Sequence, residues 1–550
     1  MLYALFVFYS CFHRVLLSSD STVQIKQGPT IVGLTLRTED QQKTFHSFRG
    51  IPYAIPPIGE QRFMPPVALS NYASVIKAYN EGPSCAQSTI PFVTIGEEDC
   101  LYLNVYTPML KCHTQLPVMI WFHGGFFEIG GHTYQTYHPD YFMNEEVVVV
   151  TINYRLNILG FLSTEDMEAP GNYGLKDQIL ALKWVQKHIK SFCGNESNIT
   201  VFGESAGSIS VSYLTQTPLT KGLFNRAILQ SGTSLCPWGL TRNPKLVAFG
   251  IGRMLKLNIS SSASLVHDLR RIKYEELIAA ATIYQLKTLL LETTFSGFVF
   301  GPSIEPRHDN AVLTTPSHHN LLNGGYHMIP YIIGFNSGEA FPFIKIIGEY
   351  INWYLHRFRL FPNALVPISM NIRNELTRHF VNRHIKHHYF KNVSDNISIL
   401  NYFNDNEFIR PILESVRLYS ENSNVFMYVF SYRGSFNTPI TDKDTGLVGH
   451  GEELSYLFRN TFAPITLNKK DQTTRYRLIK LWTNFAKTGN PTPEKDTLLE
   501  SVIWENWTKS NMVYLDIGPN ISLGRHFPIE NFRFWNSLFN LYGNPPFSTY

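Results

Sequence analysis

A serine between two glycines is the feature of this sequence that points most directly to chemistry. Residues 201–207 read Val-Phe-Gly-Glu-Ser-Ala-Gly, and a β-like run over 198–202 leads into them. A strand that turns sharply into a helix crowds its backbone, and glycines two residues either side of Ser205 relieve that crowding. The pattern predicts a nucleophile elbow that exposes the Ser205 hydroxyl and aims the N–H of Ala206 at an oxyanion site. Ordinary glycine turns share this pattern, so the rest of the chain must supply a base and an acid.

Two downstream segments offer those groups in the order acid, then histidine. A serine hydroxyl needs a base to become a nucleophile, and the base needs a carboxylate to orient it. Glu339 follows a strand-like run and a turn over 331–338, at the strand end where open α/β sheets place active sites. His450 lies in a glycine-flanked loop before a helical stretch. Taken singly, either residue is more often merely solvated; together they predict a Ser-Glu-His triad.

A scaffold of alternating strands and helices must hold these groups. Residues 117–122 read as a buried strand running into 123–127, His-Gly-Gly-Phe-Phe, where a hydrolase of this design keeps further oxyanion donors. Apolar strands such as 147–152 alternate with amphipathic helical stretches such as 175–189. The alternation predicts an α/β fold with a large, mostly parallel sheet covered by helices.

Short motifs follow one another along most of the chain. They stand at 48–54 (Phe-Arg-Gly-Ile-Pro-Tyr-Ala), 56–60, 62–63, 98–105 (Glu-Asp-Cys-Leu-Tyr-Leu-Asn-Val), 153–156, 172–178 (Asn-Tyr-Gly-Leu-Lys-Asp-Gln), 481–486 and 489–491. In their residues and order these motifs resemble the type-B carboxylesterases, the cholinesterase-like family of α/β-hydrolases. The resemblance implies an α/β-hydrolase fold in a single domain over 20–550. It also implies ester hydrolysis through an acyl-enzyme without cofactor or metal, with Ser205 as nucleophile, Glu339 as acid and His450 as base.

The resemblance assigns the oxyanion hole to the N–H groups of Gly125, Phe126 and Ala206, with one departure. The family usually has three glycines where this chain has Gly124, Gly125 and Phe126. Phe126 keeps its N–H, but a phenylalanine held at positive φ costs about 1–2 kcal/mol. Outright loss of one donor lowers rates by about 10²–10³-fold. We therefore expect an active esterase that is unusually selective or slow.

The expected substrate is a small-molecule carboxylic ester. By resemblance, Gly124, Glu204, Trp238 and Phe343 contribute to the pocket. The two aromatic residues equally suit core packing, and Glu204 equally suits a charge at the start of a helix. Cholinesterases hold a quaternary ammonium on a tryptophan inside the first disulfide loop, and residues 86–99 contain none. Choline esters are therefore not expected as preferred substrates.

The cysteines divide into one expected pair and an odd remainder. The resemblance pairs Cys85 with Cys100. Removal of an amino-terminal signal would take Cys11 with it and leave three unassigned, which are Cys112, Cys193 and Cys236. At least one of these thiols is then free or pairs between chains.

The amino terminus and the glycosylation sequons favour a secreted chain. Residues 1–19 are interpreted as a signal peptide, because 2–9 is apolar and small residues follow at 18, 19 and 21. Seven Asn-x-Ser/Thr sites are consistent with glycosylation: Asn195, Asn198, Asn258, Asn392, Asn396, Asn506 and Asn520. No later stretch of the sequence is long and apolar enough to span a bilayer.

Charge excludes some partners, and one alternative function stays open. A net charge of +4 over 550 residues is too diffuse to predict binding to nucleic acid or an anionic membrane. The same family contains adhesion and receptor-like proteins that bind partners without catalysis. Those members typically lose the serine or the histidine, whereas this chain has Ser205 and His450. The sequence predicts neither the natural ester nor the oligomeric state.

Overall fold

The structure is a computed structural model with side chains. It describes residues 20–40, 42–90, 93–291, 297–341, 361, 363–391, 396–436, 446–461, 467–527 and 529–550. The predicted signal peptide, residues 1–19, and the pocket residue Phe343 lie outside the described residues.

Strands and helices alternate along most of the chain. The strands are β1 (Asp20–Gln24), β2 (Thr30–Arg37), β3 (Thr44–Pro52), β4 (Val75–Lys77), β5 (Gln87–Ile90), β6 (Val93–Ile95), β7 (Tyr102–Thr107), β8 (Leu116–Phe122), β9 (Val148–Ile152), β10 (Gly194–Glu204), β11 (Arg226–Gln230), β12 (Tyr331–Asn336), β13 (Val425–Phe430), β14 (Val513–Ile517) and β15 (Ile521–Arg525). The helices are α1 (Asn157–Phe161), α2 (Tyr173–His188), α3 (Ala206–Leu214), α4 (Pro244–Met254), α5 (Ser262–Arg271), α6 (Tyr274–Leu291), α7 (Ser317–Leu322), α8 (Glu375–Tyr389), α9 (Asn396–Phe403), α10 (Arg410–Tyr419), α11 (Leu454–Leu457), α12 (Lys469–Thr488) and α13 (Ile529–Tyr542), with a π-helix at Asn404–Ile409 between α9 and α10.

One large sheet runs through the described residues in the order β1-β2-β3-β7-β9-β8-β10-β11-β12-β13-β14-β15, with β4 beside β2. Neighbouring strands from β9 through β14 are parallel. The edges, β1-β2-β3-β7 and β14-β15, pair antiparallel, and β7 joins β9 the same way. The predicted α/β fold with a mostly parallel sheet is therefore confirmed, and its antiparallel edges are an addition that the apolar runs did not predict.

Apolar side chains cover both faces of the central strands. Along β8, Val118 and Ile120 enter one large core cluster, whereas Met119 and Trp121 enter another on the opposite face. Successive side chains of a strand point to opposite faces, so the two clusters lie on either side of the sheet. Burial on both faces explains why these strands read as continuous apolar runs in the sequence. The same burial holds the carboxyl ends of these strands in place, and the candidate site is built from those ends.

A buried ion pair explains the motif at the start of α2. Asp177 accepts two bonds from the Arg155 guanidinium, at 2.8 and 2.7 Å, and a third from the Arg155 backbone N–H at 3.0 Å. Both side chains are nearly inaccessible to water, at 4% and 0% exposure. A bidentate pair with a further bond satisfies the buried carboxylate, so it ties α2 to the loop after β9.

Four of the described cysteines form two disulfides. Cys85 pairs with Cys100, and Cys112 pairs with Cys193. The second bridge joins the β7–β8 connection to the start of β10, beside the backbone bond from Leu116 N–H to the Cys193 carbonyl. Among the described residues Cys236 is the free thiol, and it is buried. No described helix is long and apolar enough to cross a membrane.

Candidate active site

Ser205 lies at the sharp turn between β10 and α3. Its backbone angles are φ 57° and ψ −126°, in a region that L-residues rarely occupy, and its N–H donates to the Gln230 carbonyl at 2.9 Å. A Cβ added to Gly207 would fall on the Phe122 carbonyl oxygen, and one added to Gly203 would approach the Gly207 carbonyl carbon to 2.6 Å. The two glycines are therefore required by close backbone approach, which is the reason their spacing around the serine was informative.

Glu339 and His450 are in direct contact although 111 residues separate them. Glu339 Oε2 lies 2.6 Å from His450 Nδ1, and Glu339 Oε1 accepts from the backbone N–H of Asn336 at 2.6 Å. The carboxyl group is fully buried, and the imidazole side chain is 11% exposed. A carboxylate in this position keeps the His450 proton on Nδ1, so that Nε2 is the nitrogen able to accept a proton.

A second carboxylate stands on the other side of the imidazole. Glu204, the residue before Ser205, places Oε1 3.0 Å from His450 Nε2. Burial alone would lower the pKa of His450, but the charges of Glu204 and Glu339 and their hydrogen bonding raise that pKa well above the usual value. The sequence placed Glu204 near the pocket, yet nothing in it showed that this carboxylate reaches the histidine.

The loop after β8 leaves no room for a side chain beside the serine. A Cβ on Gly124 would come within 3.0 Å of Ser205 Cβ and 2.9 Å of Glu204 Oε2. Gly125 has φ 109°, and Phe126 has φ 62°. The positive φ considered for Phe126 from the sequence is therefore present, and this backbone conformation costs about 1–2 kcal/mol for a residue with a side chain.

A stacked pair of aromatic rings supports the same loop. His123 and Tyr154 stack with ring centroids 4.4 Å apart, and the Tyr154 hydroxyl donates to the His123 carbonyl at 2.7 Å. His123 Nδ1 lies 2.8 Å from the Gly124 carbonyl oxygen. Burial lowers the pKa of His123 to about 4, so the ring is neutral at ordinary pH and its Nδ1–H can donate to that carbonyl.

The family model described as "Carboxylesterase family" matches residues 19–535. This chain belongs to the carboxylesterase family. Carboxylesterase 1D of Rattus norvegicus is 32% identical over 553 residues, covering 95% of this chain and 94% of that protein. Juvenile hormone esterase of Tribolium castaneum is 31% identical over 514 residues, covering 88% of this chain and 87% of that protein.

A solved structure supports the same assignment. Juvenile hormone esterase from Manduca sexta, with OTFP covalently attached, superimposes with a TM-score of 0.84 at 28% identity, covering 95% of this chain and 100% of that one. The resemblance drawn from the motifs and the α/β-hydrolase fold are thus confirmed. The chain is a carboxylic ester hydrolase.

Aromatic rings lie beside His450, the candidate catalytic histidine of this carboxylesterase. The Phe408 ring lies 5.1 Å from the His450 ring and 5.5 Å from the Trp238 ring. Trp238 is buried, and its Nε1–H donates to the Glu407 carbonyl at 3.0 Å. Phe126 packs on Phe298 at 4.9 Å.

Phe408 is a contact that sequence reasoning missed. It lies in the π-helix at Asn404–Ile409, and a π-helix widens one turn of an otherwise α-helical run. The same π-helix approaches the acid loop, because the Asn404 side-chain oxygen accepts from the Ala340 N–H at 3.4 Å. No motif in the sequence marked this segment, and its role is visible only once helices α9 and α10 are placed.

A buried polar network lies behind the Glu339–His450 contact. Glu453 accepts from Gln230 Nε2 at 3.0 Å and from Asn336 Nδ2 at 2.6 Å. Gln230 Oε1 accepts in turn from Trp482 Nε1 at 3.0 Å. Burial, followed by the charges of Glu204 and Glu339, raises the pKa of Glu453 to about 8. Sequence reasoning passed over Glu453, although its place three residues after His450 was the available signal.

Proposed function

We propose that this carboxylesterase cleaves small-molecule carboxylic esters through an acyl-enzyme formed on Ser205, with His450 as the base and Glu339 as the acid that orients it. The observation that carries the proposal is the 2.6 Å contact between Glu339 Oε2 and His450 Nδ1. It joins two distant loops of a carboxylesterase-family chain, beside a serine at a strained strand-to-helix turn.

In the proposed acylation step, His450 Nε2 removes the Ser205 Oγ proton as the oxygen attacks the ester carbonyl carbon. The tetrahedral intermediate collapses when the imidazolium returns that proton to the departing alkoxide, so that the alcohol leaves and Ser205 is acylated. A water molecule then attacks the acyl carbonyl carbon and loses a proton to His450. The carboxylic acid leaves as the imidazolium returns that proton to Ser205 Oγ. Glu339 stabilises the imidazolium in both halves and remains ionised.

The N–H groups of Gly125, Phe126 and Ala206 are the proposed oxyanion donors. Ala206 is the first residue of α3, whose N-terminus adds partial positive charge. Donors fixed in the ground state stabilise the oxyanion without reorganising, and each is worth about 10²–10³-fold in rate.

Covalent labelling tests the acyl-enzyme directly. Incubation with a fluorophosphonate, followed by peptide mass spectrometry, is expected to place the adduct on Ser205. Labelling of the wild type and none in Ser205→Ala supports the proposal. A folded wild type that is neither labelled nor able to hydrolyse p-nitrophenyl acetate would mean that the loop holding Phe126 has disabled the oxyanion hole. The alternative of a binding protein would then replace the proposed acyl-enzyme mechanism.

Selectivity is expected to depend on Phe126. Phe126→Gly removes both the ring that packs on Phe298 and the strain of a side chain at φ 62°. We expect the kcat/KM ratio of p-nitrophenyl butyrate or a bulkier branched ester to p-nitrophenyl acetate to rise at least about tenfold, which corresponds to about 1.4 kcal/mol. The measurement is steady-state kinetics across an acyl-size series.

Phe298→Ala is the matched control for that series, because it removes the partner ring and leaves the loop backbone unchanged. An equal gain in both variants would assign the selectivity to the packed pair of rings, whereas a gain only in Phe126→Gly would assign it to residue 126 itself. An unchanged acyl preference in Phe126→Gly contradicts the proposed role.

The pH profile is expected to depend on Glu204. As a base His450 must be neutral, so its raised pKa moves the rising limb of kcat/KM toward alkaline pH. Glu204→Gln removes one of the two charges that raise this pKa, while the contact with Glu339 remains. We expect the limb to shift toward lower pH by about one unit, measured as kcat/KM between pH 5 and 9.

Glu452→Gln is the control for that shift, because Glu452 is a carboxylate of the same loop that accepts from the Gly449 N–H. A limb that stays in place, or moves to higher pH, in Glu204→Gln contradicts the electrostatic role.

Secretion and glycosylation remain part of the proposal. Two disulfides are consistent with an oxidising compartment. Of the seven sequons, Asn258 and Asn520 are exposed in the structure. Asn392 and the side chain of Asn396 fall outside the described residues.

A further inference from the structure

Asn336 contacts both the acid loop and the histidine loop. It is the last residue of β12 and is fully buried. Its backbone N–H donates to Glu339 Oε1 at 2.6 Å. Its side-chain Nδ2 donates to the Gly449 carbonyl at 2.7 Å and to Glu453 Oε2 at 2.6 Å. Because Gly449 precedes His450, a single residue touches the carboxylate of the acid and the backbone that carries the base.

Besides the Glu339–His450 contact, the acid loop also bonds to the histidine loop at Val448, short of the imidazole. Gly338 N–H donates to the Val448 carbonyl at 2.8 Å, and Val448 N–H donates to the Ser337 hydroxyl at 3.0 Å. Both end at Val448, two residues before His450. The Asn336 amide therefore fixes the last peptide unit before the histidine.

The surroundings of the amide require a donor at this position. Nδ2 faces the Gly449 carbonyl, which can only accept, and Glu453 Oε2, which accepts from it at 2.6 Å. Glu453 is held from its other oxygen by Gln230, so it does not depend on Asn336 for its place. An aspartate at 336 would set an acceptor against the Gly449 carbonyl, whereas it would fill nearly the same volume.

We propose that Asn336 is a positioning residue for ester hydrolysis, whose side-chain amide fixes the Gly449 carbonyl and thereby holds His450 at the distance that Glu339 and Ser205 require. The proposal rests on the proposed triad. It assigns no contact with substrate to Asn336.

Asn336→Asp tests this role, with Asn172→Asp as the matched control. Asn172 is equally buried, and its Nδ2 donates to the Ser303 carbonyl at 2.7 Å and to Glu305 Oε1 at 2.8 Å, in a network apart from the site. We expect Asn336→Asp to lower kcat by about 10–100-fold with KM changed less than about threefold, and Asn172→Asp to leave both within about twofold. Equal kinetics in the two variants overturns the proposal.

A paired substitution separates positioning from folding. In Asn336→Asp/Glu453→Gln the new glutamine can donate to the new aspartate and still accept from Gln230, so the contact between the two side chains is restored with reversed polarity. The Gly449 carbonyl is left without its donor. We expect the thermal midpoint to recover and kcat to remain low. Recovery of kcat together with the midpoint would show a structural role only and would overturn the proposal.

Asn336→Ser is the second variant, in case the aspartate prevents folding. Its short hydroxyl cannot bridge both acceptors, so the same loss in kcat is expected. The pH profile gives an independent readout: a looser His450–Glu339 contact lowers the pKa of the histidine, so the rising limb moves to lower pH. An unmoved limb with full kcat in a folded Asn336→Ser overturns the proposal. If wild-type protein is not labelled at Ser205, the proposed triad itself fails, which is a separate outcome.

Discussion

Replacing Ser205 with alanine is expected to lower kcat for p-nitrophenyl acetate at least about 10⁴-fold, because it removes the hydroxyl proposed to carry the acyl group. The substitution removes only the side-chain oxygen atom. Alanine tolerates the φ of 57° at this turn no worse than serine does. The N–H groups of the oxyanion loop and of Ala206 remain. They leave a residual rate above that of water, so the loss is large without being complete.

Ser210→Ala is the matched control for that loss. Ser210 lies in the same helix, α3, is fully buried, and accepts from Gln178 Nε2 at 3.0 Å instead of facing the site. We expect its kcat to stay within about twofold of the wild type. Fluorophosphonate labelling should disappear only in Ser205→Ala. Substantial turnover in that variant would mean that a different residue carries the acyl group.

The elbow was predictable because its sequence pattern is local. The two glycines and the serine lie within five residues, although the backbone that Gly207 approaches most closely is that of the distant Phe122. The parallel centre of the sheet was predictable for a similar reason. Because its strands are buried on both faces, each one is a continuous run of apolar residues in the sequence. The family motifs then supplied the pairing of Glu339 with His450, which spacing alone could not.

What the sequence did not reveal depends on segments that meet only in the folded chain. The contact of Glu204 with His450 requires the elbow and the histidine loop to be placed together. Phe408 reaches the imidazole through a π-helix, whose extra residue per turn has no signature in the sequence. The odd number of unassigned cysteines could be counted, but the bridge between Cys112 and Cys193 follows from the approach of two strand ends.

Replacing Glu339 with glutamine is expected to lower kcat by about 10³–10⁴-fold, and the cause lies in how its two oxygens are used. Oε1 accepts from the Asn336 backbone N–H, and a backbone N–H can donate a hydrogen bond but cannot accept one. The amide oxygen of glutamine must therefore take that place, which turns its NH₂ group toward His450 Nδ1. The imidazole then has to accept at Nδ1 and carry its proton on Nε2, where it cannot remove the proton of Ser205.

Glu414→Gln is the control for that substitution, because Glu414 is a buried carboxylate that also pairs with a histidine, His318, at 3.2 Å. It lies in α10, away from the serine, so kcat should remain within about twofold while the thermal midpoint falls. Glu339→Asp keeps the charge but shortens the reach, and its loss in kcat should be smaller than that of the glutamine variant. If Glu339→Gln instead retains kcat within tenfold of the wild type, the tautomer of His450 is set by another group, and Glu339 is not the orienting acid.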